Sequence, residues 1–176
     1  MHHPSQVVLR PAQTDDAPVI WEILMHAIER RRQEGSTQWQ NGYPNPETIA
    51  SDREKGAGFV LTGAQGIIAY CALLINDEPA YNNIEGAWLS YSDFVVVHRV
   101  AVAPEFLGKG WIQVLFRCIE DFALARNICS IKVDTNFDNP AMLAILEKLG
   151  YTYCGQVSMM GSPRMAFEKQ LTSPAV

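Results

Sequence analysis

The sequence predicts an α/β fold in which a mixed sheet carries helices on both faces. Three observations predict it. Antiparallel hairpin patterns lie on either side of the middle of the chain, two β-branched runs (DFVVVHRVAV, 93–102, and SIKVD, 130–134) are separated by one amphipathic helix, and a second sharply bounded helix precedes two closing strands. The two central runs are then parallel strands joined by a right-handed crossover.

Each element has its own local reason. Residues 6–10, QVVLR, read as a first strand. Thr14 is placed to cap a helix whose first turn holds Asp15, Asp16 and Pro18, and Val19, Ile20, Ile23, Leu24, Ala27 and Ile28 form its apolar face until Gly35 stops it. The segment GSTQWQNGYPNPE is rich in turn formers yet carries Trp39 and Tyr43, which either cover the edge of the core or wall a substrate. A short helix from Pro46 to Lys55 leads into a hairpin of GFVLT and IIAYCALLI around Gly63–Gly66. The acidic and aromatic stretch from Asp77 to Tyr91 has no clear period and reads as a loop. After the strand 93–102, a helix over 110–126 has Ile112, Leu115, Phe116, Ile119 and Ala123 on one face. Asn139 is a good N-cap, Pro140 suits the first helical position, Met142, Ile145, Leu146 and Leu149 make the buried stripe, and Gly150 ends that helix. Strands at about Tyr151–Val157 and Arg164–Glu168 complete the chain.

With 176 residues, 48% hydrophobic and 19% charged, the chain has the composition of one globular domain with a sizeable core, spanning 1–176 with mobile termini at 1–5 and 171–176. A net charge of -5 argues against a general nucleic-acid or anionic-membrane binder, both of which need a basic surface. The one cationic run, Arg30, Arg31 and Arg32, falls at a helix end, where it complements the dipole. Cys71, Cys118, Cys129 and Cys154 are scattered without a C-x-x-C pair and read as buried, reduced thiols. No leader pattern and no long apolar run is present, so the cytoplasm is the expected compartment.

The chemistry concentrates after the central strand. Gly108 and Gly110 allow a turn with positive φ and close approach of a ligand, and the helix that follows points its first amides outward at the positive end of its dipole. An anionic pyrophosphate suits that place. The spacing is neither a G-x-x-x-x-G-K-[ST] phosphate loop nor a G-x-G-x-x-G dinucleotide fingerprint.

VAVAPEFLGKG resembles the acetyl-CoA-binding strand and loop of the GCN5-related N-acetyltransferases (GNAT), whose loop usually reads Q/R-x-x-G-x-G/A. HRVAV resembles that family's central strand, and Asn139, the helix after it and EKLGY resemble its late Asn-helix-x-K-x-G-F segment. Leu107 stands where the family has Gln or Arg, and Ile112 where it has Gly or Ala. The resemblance implies the GNAT fold, with a mixed, mostly antiparallel central sheet and one splayed parallel strand pair that admits the pantetheine arm. It also implies acetyl-CoA as cosubstrate, bound through Val100, Ala101, Val102, Leu107, Gly108, Lys109, Gly110, Trp111, Ile112 and Asn139.

Moving an acetyl group from a thioester to an amine needs a neutral amine, a polarised carbonyl and a thiolate able to leave. An alkylamine with pKa ~10.4 is mostly protonated at neutral pH, so a base is useful. His98 suits that work, as a side chain with a reference pKa of ~6.5 on the strand position where the family often has glutamate. Its other reading is a buried, hydrogen-bonded structural histidine. Arg99, next to it on the opposite face, must find a carboxylate or solvent. Asp134, ending the next parallel strand, either orients His98 or grips the amine, or is a strand-end turn residue. The family's usual tyrosine acid is replaced by Leu146, leaving water, Tyr81 or Tyr151 to protonate sulfur. His98, Asp134 and Tyr81 are therefore the catalytic candidates, and Gln38, Trp39, Tyr43 and Glu78 the acceptor-side candidates. The acidic and aromatic character of these residues favours a small cationic amine, an amino-acid derivative or a peptide terminus. Four histidines without i,i+4 ligand spacing predict no metal site, and no G-x-S-x-G is present. A non-catalytic acyl-CoA-binding module is the alternative, and the oligomeric state, a homodimer included, is left open.

Overall fold

A computed structural model describes residues 7–173. Of the ends expected to be mobile, 1–5 and 171–176, residues 1–5 and 174–176 lie outside the described residues, and the Leu171 amide donates to Cys129 O at 2.8 Å. The described residues divide into two compact units, one made of 7–73 and 99–119, the other of 74–98 and 120–173.

In the first unit, β1 (Val8–Pro11), β2 (Gly58–Gly63) and most of β3 (Gly66–Ile75) pair antiparallel in that order. The second half of β5 (Val95–Val102) belongs here too, and the Ala103 amide just past it donates to Ile68 O at 2.9 Å. Helices α1 (Ala17–Gln33), α2 (Pro46–Glu54) and the first part of α3 (Trp111–Leu124) supply the apolar faces. Ile20, Leu24, Val60, Leu61, Leu115, Phe116 and Ile119 are fully buried, as their periodicity requires. Thr14 does not cap α1. It opens a 3-10 turn, Thr14–Asp16, capped by Gln13, and Asp16 instead accepts from the Gln13 amide and pairs with Arg10. The helix thus starts two residues later than a Thr14 cap predicts, at Ala17, with Asp16 held by Arg10.

In the second unit, β5 pairs in parallel with β6 (Ser130–Thr135), as predicted from the two β-branched runs. The ladder runs Val95–Ile131, Val96–Lys132 and Val97–Val133, so His98 and Asp134 are the next residue on each strand. β6 pairs antiparallel with β8 (Ser162–Gln170), β8 with β7 (Thr152–Met159), and β7 with β4 (Glu85–Gly86). The strand order is thus β1-β2-β3-β5-β6-β8-β7-β4, a mixed and mostly antiparallel sheet with one parallel pair. Helix α4 (Pro140–Lys148) starts at the expected cap, Asn139, whose side chain accepts from the Met142 amide. Its stripe is less buried than predicted, with Leu146 alone fully enclosed.

The stretch 77–91 is more ordered than a loop. It forms a 3-10 turn, Pro79–Asn83, and then β4. Tyr81 and Trp88 from it pack with Val96, Cys154, Val157 and Ala166 into a second apolar core. The four cysteines are free, but only Cys71 and Cys154 are buried; Cys118 and Cys129 are half-buried. Among the described residues no helix is long and apolar enough to cross a membrane.

Candidate active site

Parallel pairing carries His98 and Asp134 to the same level of the second unit. The imidazole Nδ1 lies 3.7 Å from Asp134 Oδ1, beyond hydrogen-bond reach, while Nε2 lies 2.8 Å from Glu78 Oε2. Glu78 is fixed by its own backbone, because Oε1 accepts from the Ala80 amide and caps the 3-10 turn. One carboxylate therefore holds the turn with one oxygen and the imidazole with the other.

Tyr81, on that same turn, donates its hydroxyl to Asp134 Oδ1 at 2.5 Å. Its ring stacks at a tilt on Trp88, centroids 5.0 Å apart, and its carbonyl accepts from Trp88 Nε1 at 2.9 Å. Burial, and after it the charge and hydrogen bond of Asp134, pushes the Tyr81 phenol well above its ordinary pKa. Its proton is committed to Asp134, which makes it a poor acid and a good anchor. The side chains of His98, Glu78 and Asp134 are 13%, 15% and 5% exposed, so the group is nearly enclosed.

Tyr43 stands in a different cluster, in the first unit. Its hydroxyl accepts from Arg99 Nη1 at 2.6 Å, and Arg99 also holds Asp52 of α2 through Nε and Nη2. Tyr70 donates to Asp52 Oδ2 at 2.5 Å. The sequence singled out Tyr43 and required a carboxylate or solvent for Arg99, but did not point to Asp52 or Tyr70. The signal was present in α2, where Asp52 sits three residues after buried Ile49 and so on its inner face. Simple alternation of His98 and Arg99 is also corrected, since Arg99 has φ 53°, which interrupts the pleat. Gln38 is buried and its amide donates to Ser36 Oγ, while Trp39 is half-buried with φ 63°. The structure thus brings His98, Glu78, Tyr81 and Asp134 together in one unit, and places Gln38, Trp39 and Tyr43 in the other.

The loop predicted to take an anion also lies in the first unit. Leu107, Gly108, Lys109 and Gly110 are exposed, and Gly108 and Gly110 have φ 70° and 78° as required. A Cβ placed on Gly108 would meet nothing within 4 Å, so the backbone is open to a ligand. Helix α3 starts at Trp111, and its first-turn amides have no earlier helical carbonyl to bond. Phe106 and Trp111 meet edge-to-face at 6.0 Å and close the base of the loop. Lys109 folds back on Glu105 O, and Ile112 is half-buried beside Leu115 and Phe116 on the helix's inner side. An exposed loop, two left-handed glycines and a helix start fit a pyrophosphate. In the second unit, Asn139 spends its side chain capping α4, and Asn136 Oδ1 is a buried acceptor with no hydrogen-bond partner.

Residues 17–151 match the model of the Acetyltransferase (GNAT) family. The chain belongs to this family. Among curated proteins, this acetyltransferase is similar to the uncharacterized N-acetyltransferase YesJ of Bacillus subtilis (strain 168), with 26% identity over 165 residues, 93% of this chain and 89% of that protein. Among solved structures it is similar to a GNAT-family acetyltransferase from Streptococcus agalactiae 2603, with 29% identity, a TM-score of 0.86 and coverage of 94% and 96% of the two chains. The fold is also that of yncA from Salmonella typhimurium, determined with its cofactor acetyl-CoA, at 19% identity, a TM-score of 0.64 and 98% coverage of each chain.

Proposed function

We propose that this acetyltransferase moves an acetyl group from acetyl-CoA to a primary amine by direct attack, with no covalent enzyme intermediate. The observation that carries the reading is the placement of His98 on β5, hydrogen-bonded to Glu78 and beside Asp134 in a nearly enclosed setting, within a chain of this family. Acetyl-CoA supplies the activated acetyl group. The chain's own residues bind, orient and handle protons.

Amides of the Leu107–Ile112 loop and the start of α3 take the pyrophosphate, and the strand residues Val100, Ala101 and Val102 offer backbone groups to the pantetheine and the carbonyl. Asn139, Gln38, Trp39 and Tyr43 belong to the proposal by family resemblance and residue type. His98 serves the acceptor amine as base. Leu146 is fully buried and has no proton to give, Tyr81 is bound to Asp134, and burial holds the Tyr151 phenol well above its ordinary pKa, so the departing thiolate, with a reference pKa of ~8.5, takes its proton from water. The carboxylates of Glu78 and Asp134 beside Tyr81 and Trp88 favour a small cationic amine, an amino-acid derivative or a peptide terminus as acceptor. The whole chain reads as one N-acetyltransferase domain working in the cytoplasm.

Thermal unfolding with and without acetyl-CoA tests the donor side. Ligand at a hundredfold over Kd adds ~2.7 kcal/mol, roughly 5 to 10 °C for a chain of this size, with no shift from ATP. No shift at millimolar acetyl-CoA overturns the reading. Amine-dependent release of free thiol across a panel of amines then identifies the acceptor.

A further inference from the structure

We propose that the gap between His98 Nδ1 and Asp134 Oδ1 is the seat of the acceptor's ammonium nitrogen, and that Glu78 is the positioning residue that makes Nδ1 the base. The inference rests on the acetyltransferase reading and deepens it to the level of atoms.

Glu78 sets the tautomer of the ring. An ionised carboxylate is an acceptor only, so the 2.8 Å contact to Nε2 requires Nε2 to carry a hydrogen. In a neutral imidazole the lone pair is then on Nδ1. Glu78 cannot easily swing away, because its other oxygen caps the turn at Ala80. The tautomer is therefore set by an element that is itself held in place.

Nδ1 faces Asp134 Oδ1 at 3.7 Å. Two acceptor atoms at that separation do not bond each other, yet both can lie ~2.9 Å from a third atom that donates to each. A primary ammonium fits, since it offers three N–H donors and a positive charge. Tyr81 takes one lone pair of Oδ1 and holds the carboxylate still, while a carboxylate has about four acceptor sites in all. A neutral alcohol has one hydrogen to give and cannot bond both atoms. An anion would be repelled by Glu78 and Asp134 together. The site thus selects a protonated primary amine over a hydroxyl or carboxylate of the same size.

The proton step balances within these groups. The ammonium N–H bond breaks, its electron pair stays on nitrogen as the nucleophilic lone pair, and the proton forms a new bond to Nδ1. The resulting imidazolium keeps its Nε2 hydrogen on Glu78 and points its Nδ1 hydrogen toward Asp134. Once the amide forms, nitrogen loses a second proton, the thiolate gains one, and the net product of the reaction is one proton released to solvent.

The tests of the seat use the free protein, and acetyl-CoA enters only as the check that a variant is folded. Nitrogen NMR of the histidine rings, at a pH where His98 is neutral, should show Nε2 protonated and Nδ1 bare; the opposite tautomer overturns the proposal. Glu78→Gln has one acceptor oxygen where Glu78 uses two, so it cannot both cap Ala80 and accept at Nε2, and it should lose the single tautomer, as should Glu78→Leu. Butylammonium should then shift the Nδ1 signal saturably, whereas butanol and butyrate at the same concentrations should not. Equal effects from all three, or none from butylammonium, overturn the seat. Asp134→Asn should weaken the butylammonium response at least tenfold. Retention of the acetyl-CoA thermal shift in that variant shows that it is folded and separates failure of the seat from failure of the acetyltransferase reading.

Discussion

Asp52 grips Arg99 with both carboxylate oxygens, Oδ2 taking Nε at 2.8 Å and Oδ1 taking Nη2. The two side chains are 5% and 11% exposed. Burial works against the guanidinium charge, but the bonds from Asp52 and Tyr43 outweigh it and raise Arg99 above its ordinary pKa. The clamp also secures a strand residue held at φ 53°, a conformation that costs on the order of 1–3 kcal/mol for a side chain other than glycine.

Removing one partner of such a pair is worse than never having it. Asp52→Ala leaves a buried cation and the Tyr70 hydroxyl without their acceptor, and the expected loss is about 3–5 kcal/mol in urea unfolding. Asp52→Asn keeps an acceptor oxygen and should lose less. A change below ~1 kcal/mol in the alanine variant would mean that the pair contributes little beyond its own desolvation.

Gly86 and Gly155 face each other across the β4–β7 ladder with φ 135° and 138°. A Cβ on Gly155 would fall 2.1 Å from Glu85 O, and one on Gly86 equally close to Cys154 O. Gly155→Ala should therefore cost on the order of 2–4 kcal/mol and release β4 from the sheet edge. Hydrogen exchange reads this locally, since the Ala87 amide now bonds Cys154 O at 3.0 Å and should lose protection in the variant.

These relationships mark where sequence reasoning stops. Helix α3, the left-handed Gly108 and Gly110, the Asn139 cap and the parallel β5–β6 pair were legible because each depends on residues a few positions apart or on a simple period. β4 was not, because a two-residue strand has no period and exists only by pairing with β7. The same holds for the site. His98, Glu78, Tyr81 and Asp134 could be named by residue type, but Tyr81 meets Asp134 across 53 positions and Arg99 meets Asp52 across 47. Partnership at that range sets which oxygen is occupied, and hence which group is base and which is anchor.

Leu146 occupies the position where the family commonly has a tyrosine, and it is completely buried. Leu146→Tyr would insert a larger ring and a hydroxyl at a fully buried position, for a cost of typically 1–3 kcal/mol. Turnover measured as thiol release should not rise. A tenfold gain would show instead that the departing thiolate lacks an acid and that this position can supply one.

Stability should fall steeply in alkali, beginning with Cys71. Burial raises that thiol, and burial likewise raises the phenols of Tyr70, Tyr81 and Tyr151, with Asp52, Asp134 and Glu120 adding to the respective shifts. Each folded group keeps its proton above the pH at which its unfolded counterpart loses it, ~8.5 for cysteine and ~10 for tyrosine. Above those values the unfolded chain binds fewer protons than the native one, so the slope of unfolding free energy against pH is negative, by up to ~1.4 kcal/mol per pH unit for each group. The contribution is complete below the unfolded pKa and is lost as pH rises toward the folded one. Urea unfolding between about pH 8 and 11 should show a shallow decline from Cys71 and then a sharper one as the three tyrosines join. Phenolate absorbance of the native protein should stay low over the same range for these three and appear only with unfolding. Tyr70→Phe should remove one tyrosine's share of the slope, and a flat profile through pH ~10.5 would show that the buried phenols ionise without unfolding the chain.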